Sequence, residues 1–131
     1  MRIHKDLSVW KKSIELAVQI YSMTATFPKQ ETYGLGQQMR RASVSIASNI
    51  SEGAARGSPN EFTRFLHMAA GSVSELDTQL EIADAIDIGN LELRNDVRRR
   101  LHEVASLLGG LIRSQYRKIR HKESVRTKSA T

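Results

Sequence analysis

Four apolar stripes with three-four spacing constrain this chain more than any single motif. The most regular is Phe62, Leu66, Ala69, Val73, Leu76, Leu80 and Ala83, whose steps alternate between four and three without a break. Residues spaced this way share one side of an α-helix, so the stripe predicts a helix that must bury that side. A first stripe runs through Leu7, Trp10, Ile14, Ala17, Tyr21 and Thr24, and Leu16, Ile20, Met23 and Phe27 widen it. A second runs through Leu35, Met39, Ala42, Ile46 and Asn49 with Ile50 beside it, and a fourth through Leu93, Val97, Leu101, Val104, Leu108 and Leu111. No period-two alternation is long enough to predict a strand.

The breaks between stripes carry boundary chemistry. Only two prolines occur. Pro28 follows Phe27 and closes the first run. Pro59 follows Ser58, so Ser58 is expected to cap a helix, Pro59 to take its first position and Glu61 to bond back. Asp6 before Leu7, and Asn90 after Gly89, are candidate caps for two more helices. Gly53 and Gly57 bracket the exit from the second run, where left-handed conformations are often required. The expected architecture is an all-α, antiparallel up-down four-helix bundle, rod-like because each helix is long. Residues 1–119 form the bundle in this reading, and residues 120–131 a basic, disordered tail.

A chain of 131 residues suits one domain and is long enough to bury a core without staples. It has no cysteine, which excludes disulfides and cysteine metal sites. The N-terminal MRIHKDLSVWKK lacks a signal-type apolar run, and no stretch approaches ~18 uncharged apolar residues, so a cytoplasmic protein with no membrane role is expected.

Three motifs stand in order along the chain: LSVWKK at Leu7–Lys12, QMRRASVSIASNISEG at Gln38–Gly53, and FLHMAAGSVSELDTQLEIA at Phe65–Ala83. Together they resemble the 23S rRNA-intervening sequence proteins, also labelled S23 ribosomal protein, over Leu7 to Ile112. The resemblance implies a four-helix bundle that assembles as a homopentamer around a central channel. It implies no agreed biochemical role, because the family name records where some of these genes lie.

A second stripe on the third helix, Phe65, Met68, Ser72, Glu75, Gln79, Ile82 and Ile86, is half apolar and half polar. It reads either as a broad core face or as a contact between bundles, for which a mixed surface is suited. Leu107 and Ile112 similarly flank the main seam of the fourth helix.

The net charge of +6 is unevenly placed. Residues 1–112 are neutral, whereas Arg113, Arg117, Lys118, Arg120, Lys122, Arg126 and Lys128 face Glu123 alone. Such a segment is either solvated surface charge or a nucleic-acid arm, since cations that neutralise phosphates release counterions without reading sequence. After Ile119 the apolar seam stops, and an interfacial membrane helix would need an insertion face that is missing. Between Phe65 and Leu93 lie Glu75, Asp77, Glu81, Asp84, Asp87 and Glu92 with no Lys or Arg. Arg40, Arg41, Arg56 and Arg64 precede that acidic stretch, and Arg98, Arg99 and Arg100 follow it. Complementary charge between helices or subunits is one reading; the other is that Arg40, Arg41, Arg56 and Arg64, with Arg98–Arg100, add to a surface for phosphates.

Arg41, Ser45, Asn49 and Glu52 are spaced four, four and three, so they share a side of the second helix. With Glu75 as partner for Arg41, they are expected to form a structural polar network rather than an active site, since buried polar groups must be paired. Catalytic chemistry has no support. His4, His67, His102 and His121 are scattered, none follows a Glu by three, and no serine has a His–acid arrangement. The GLG at Gly34–Gly36 lacks the rest of a phosphate loop. Gly109–Gly110 inside the fourth helix points to close helix approach or a kink. Trp10 and Tyr21 are expected in the core, and Tyr33 and Tyr116 nearer the surface. No cofactor or metal is expected. The functional expectation is a non-enzymatic oligomer that binds nucleic acid, structured RNA ahead of DNA, through shape and phosphates. The alternative is a homo-oligomeric scaffold for an unidentified protein partner.

Overall fold

The computed structural model describes residues 7–130. Helix α1 spans Ser8–Thr24, α2 Leu35–Ala55, α3 Pro59–Ala85 and α4 Leu91–Ala130, with a single 3-10 turn at Lys29–Glu31 between α1 and α2. Each helix packs on the next, and α1 also packs on α4, which closes an up-down-up-down bundle with α2–α3 the most extensive contact. The described residues contain helices, turns and loops and no strand.

The seams meet at the centre. Leu16, Ile20 and Met23 of α1, Met39, Ile46 and Ile50 of α2, Leu66, Leu76 and Leu80 of α3 and Val97, Leu101, Val104 and Leu108 of α4 are all buried in one cluster. Each such side chain contributes roughly 2 kcal/mol of transfer free energy, which makes this interior the main source of stability. Buried hydroxyls are satisfied within their own helices: Ser13 donates to the carbonyl of Trp10 at 2.7 Å, Thr24 to that of Ile20 at 2.7 Å and Ser43 to that of Arg40 at 2.9 Å. That local bond lets small polar residues sit in the core.

The starts of α3 and α4 follow the expected chemistry with one difference. Ser58 Oγ accepts from the backbone N–H of Glu61 at 3.2 Å, and Pro59 takes the first turn of α3. Glu61 does not bond back, because its carboxylate is taken by Arg64 at 2.8 Å. Asn90 Oδ1 accepts from the N–H of Leu93 at 3.0 Å, which caps α4. The expected cap Asp6 lies outside the described residues, and α1 begins after Leu7. Between α3 and α4, Gly89 has φ +78°, and a Cβ there would lie 2.6 Å from the Phe27 ring. The two loops at this end therefore interlock, and Thr26 Oγ1 accepts from the N–H of Asn90 at 2.9 Å.

Three expectations change. Tyr21 is 46% exposed, with the Arg40 guanidinium 4.8 Å from its ring centroid, whereas Trp10 does pack against the core. Gly109 and Gly110 sit in an unbroken α4, and Cβ atoms there would meet only the side chain of Arg113. Among the described residues, no neighbouring helix lies within 4 Å of a Cβ at either glycine. Finally, the segment read as a disordered tail is helical: α4 runs without a break to Ala130.

Candidate nucleic-acid interface

Helix α4 has 40 residues, against 27 in α3 and 17 in α1. At 1.5 Å per residue it is ~60 Å long and must outrun its neighbours. Lys12 pairs with Glu103 at 3.5 Å and Glu15 with Arg100 at 3.6 Å, so α1 runs antiparallel to α4 and starts only about a turn beyond Glu103. At the same end, α3 begins at Pro59, which lies beside Ile119, Lys122, Glu123 and Arg126 in a cleft of about 210 Å³. Gln115, buried, and Ile112 and Ile119, half-buried, are the last residues of α4 to pack. Residues 120–129 are all exposed.

The side of α4 that faces the core therefore changes character along its length. Val97, Leu101, Val104, Leu108, Ile112, Gln115 and Ile119 occupy that side, and the next positions in the same rhythm are Lys122 and Arg126. Apolar residues give way to cations at the point where neighbouring helices end. Arg113, Arg117, Lys118, Arg120, Lys122 and Arg126 make no ion pair among the described residues, and all are exposed.

Other arginines singled out by their charge are differently placed. Arg98 donates to Glu81 at 2.8 Å and also pairs with Asp84. Arg99 pairs with Asp96 at 2.9 Å, and Arg100 with the same carboxylate at 2.9 Å. The Asp96 hydrogen bond is also what raises the pKa of Arg100. Half-buried Arg40 donates to Thr24 Oγ1 at 2.8 Å. Thus the cluster at Arg98–Arg100 is neutralised by α1, by α3 and by its own helix, which matches charge complementarity between helices.

The polar motif on α2 is brought together only in part. Ser45 Oγ accepts from Ser72 Oγ at 2.9 Å across the α2–α3 contact and from Asn49 Nδ2 at 3.1 Å. Glu52 instead holds Arg56 at 3.3 Å, and Glu75, exposed, accepts from Gln79 at 3.5 Å. Arg41 makes no hydrogen bond or ion pair among the described residues and is exposed beside Tyr21, Gln37 and Val44. The expected Arg41–Glu75 link does not form within one chain: Glu75 accepts from Gln79, and Arg41 has no ion-pair partner among the described residues. One contact had no sequence signal: His67 Nε2 lies 2.9 Å from the Tyr116 hydroxyl, tying α3 to α4 at the root of the basic segment. Among the described residues, no group of three His, Asp or Glu side chains is placed to hold a metal, and no helix is long and apolar enough to cross a membrane.

These features define an all-α four-helix-bundle protein with a basic helical extension. The family model for the 23S rRNA-intervening sequence protein matches residues 5–110, and the chain belongs to that family. The crystal structure of a protein with unknown function from the S23 ribosomal protein family, from Bacteroides thetaiotaomicron VPI-5482, is similar in fold. Its TM-score is 0.73 at 24% identity, over 80% of this chain and 95% of that one. A search of the curated proteins found no match. The family match ends at residue 110, so the basic extension lies outside it.

Proposed function

We propose that this chain is a non-enzymatic nucleic-acid-binding protein whose contact element is the C-terminal part of α4. The observation that carries the reading is the contrast between two sets of cations on one helix. Arg98, Arg99 and Arg100 are satisfied by carboxylates, whereas Arg113, Arg117, Lys118, Arg120, Lys122 and Arg126 are exposed and unpaired. Cations without carboxylate partners attract phosphates, and each contact made releases counterions.

Self-association belongs to the same reading, with the pentamer implied by family resemblance as the favoured state. Met68, Ile82 and Ile86 remain 46–54% exposed on the mixed face of α3, and Ile14, Val18 and Val44 are 40–56% exposed on α1 and α2. An assembly would bury these faces and multiply the basic helices, so modest single-site attraction would become avidity. The test is titration of the full chain into labelled RNA and DNA at two salt concentrations, with light scattering to give the oligomer mass. Salt-sensitive binding, lost when Arg117, Lys118, Arg120, Lys122, Arg126 and Lys128 are changed to Gln, is the expected result. Absence of binding at low salt would overturn the proposal and favour a protein scaffold.

A further inference from the structure

We infer that the outer face of α3 docks on the outer face of α1 and α2 of a second copy of this chain, with Arg41 of one copy donating to Glu75 and Gln79 of the other, an inference that rests on the self-association reading above and names its contact. Three polar groups that the protomer leaves unmatched point to it. On α3, Glu61 holds Arg64, Glu81 holds Arg98 and Asp84 holds Arg94. Glu75 is exposed and has no cation partner among the described residues; it accepts only from Gln79 Nε2, at 3.5 Å. Gln79 itself is 5% exposed, and its Oε1 is buried without a donor. A buried acceptor left unpaired is costly, so a donor brought to this face from outside would be stabilising. On α2, Arg40 donates to Thr24 and Arg56 to Glu52, whereas Arg41 is exposed and makes no hydrogen bond or ion pair among the described residues. One chain therefore displays a strong donor without an acceptor and two acceptors without a cation.

Apolar surface surrounds both sets. At 3.6 residues per turn, Met68, Glu75, Ile82 and Ile86 fall within about 40° of one another on α3, and the three apolar members are 46–54% exposed. On α1, Ile14, Val18 and Tyr21 fall within about 60°, and on α2 so do Arg41 and Val44. These four apolar residues are 40–56% exposed, and Tyr21, Arg41 and Val44 line one open groove of about 490 Å³. Tyr, Met and Arg are the side chains that interface centres favour. A second copy of the chain presents both complements at once, an acceptor set for Arg41 and apolar side chains for Tyr21 and Val44. A polyanion would be repelled by Glu75 and would leave the apolar residues unused. Enclosed by such side chains, the Arg41–Glu75 pair would be shielded from water and salt.

The experiment is sedimentation velocity of the full chain over a range of concentrations, with thermal melting of each variant alongside. Arg41→Glu and Glu75→Arg should each raise the concentration at which half the chains are assembled by about thirtyfold or more, and each should remain folded. Ile82→Asp should weaken assembly through the apolar part of the face, and Val125→Asp, on the basic extension, should leave the mass unchanged. The double variant Arg41→Glu/Glu75→Arg should recover the assembled mass. Mixing the two single variants should also recover it, because each supplies the charge that the other lacks. Recovery in the double variant but not in the mixture would place the pair within one chain and overturn the inference. Loss of mass with no recovery in either combination would overturn the pairing as well. An assembled wild type indifferent to both charge reversals would overturn this contact and leave self-association standing, whereas a wild type that is monomeric throughout would overturn both.

Discussion

Gly53 on α2 faces Phe65 on α3 so closely that a Cβ on Gly53 would lie 2.7 Å from the Phe65 Cβ and 3.3 Å from the Phe62 carbonyl oxygen. Neither atom is the far end of a flexible side chain, so neither yields without moving helix backbone. This close approach sets the spacing of the most extensive helix pair in the bundle. Gly53→Ala should therefore destabilise the protein by about 1–3 kcal/mol through overpacking. Gly71, on α3 with open space around it, is the control. Gly71→Ala should stabilise by about 0.5–1 kcal/mol, because it removes the helix-propensity cost of glycine. Urea unfolding followed by circular dichroism checks both signs.

Arg94 is the buried cation of the α3–α4 turn. It is 3% exposed and donates to Asp84 and to Asp87, each at 2.7 Å, with Asp87 held at φ +51°. Arg94→Ala should cost about 2 kcal/mol. That is below the loss usual for a fully buried pair, because Asp84 keeps Arg98 and the Asp87 side chain is 88% exposed. Arg94→Met should cost less than Arg94→Ala, since the aliphatic stem still fills the space. Thermal melting of the two variants gives the order.

Arginines on one helix should separate into stabilising and binding classes. Arg98→Gln loses its links to Glu81 and Asp84 and should lower stability by about 1 kcal/mol while leaving nucleic-acid affinity unchanged. Arg117→Gln should do the reverse. A chain ending at Ile119 should melt like the full chain, within about 0.5 kcal/mol, since residues 120–129 are all exposed, yet it should bind nucleic acid more weakly. Parallel melting and anisotropy measurements test the division, and a marked loss of stability on truncation would contradict it.

Glu61 titrates below the ordinary carboxylate value because the Arg64 guanidinium hydrogen-bonds its charged form. The folded pKa is the lower one, so its contribution to stability is present above the unfolded value and is lost as pH falls through the folded value. An NMR titration should place the Glu61 midpoint below 4.5, and Arg64→Gln should return it toward that value.

Secondary structure and topology were legible because apolar periodicity belongs to a single helix and needs no partner to be read. The seam through Phe62, Leu66, Ala69, Val73, Leu76, Leu80 and Ala83 announced α3, and Ser58–Pro59 announced its start. The gathering of excess positive charge after Ile112 was likewise visible as composition. What each polar group would touch was not. Arg98 and Arg117 look alike in sequence, but one meets Glu81 and the other meets solvent. Tyr21 shares a seam with Trp10 yet lies outside the core, and Arg41 misses Glu75.

Those outcomes depend on the rotational phase and axial register of one helix against another, fixed jointly by contacts such as Gly53 on Phe65 and Ser72 on Ser45. The sequence by itself determined four helices, their order and the sign of the charge at the end of the last. Only the tertiary structure decided which cations are neutralised and that the last helix outruns its neighbours. Register between helices is a property of the packed whole, and no stripe read alone contains it.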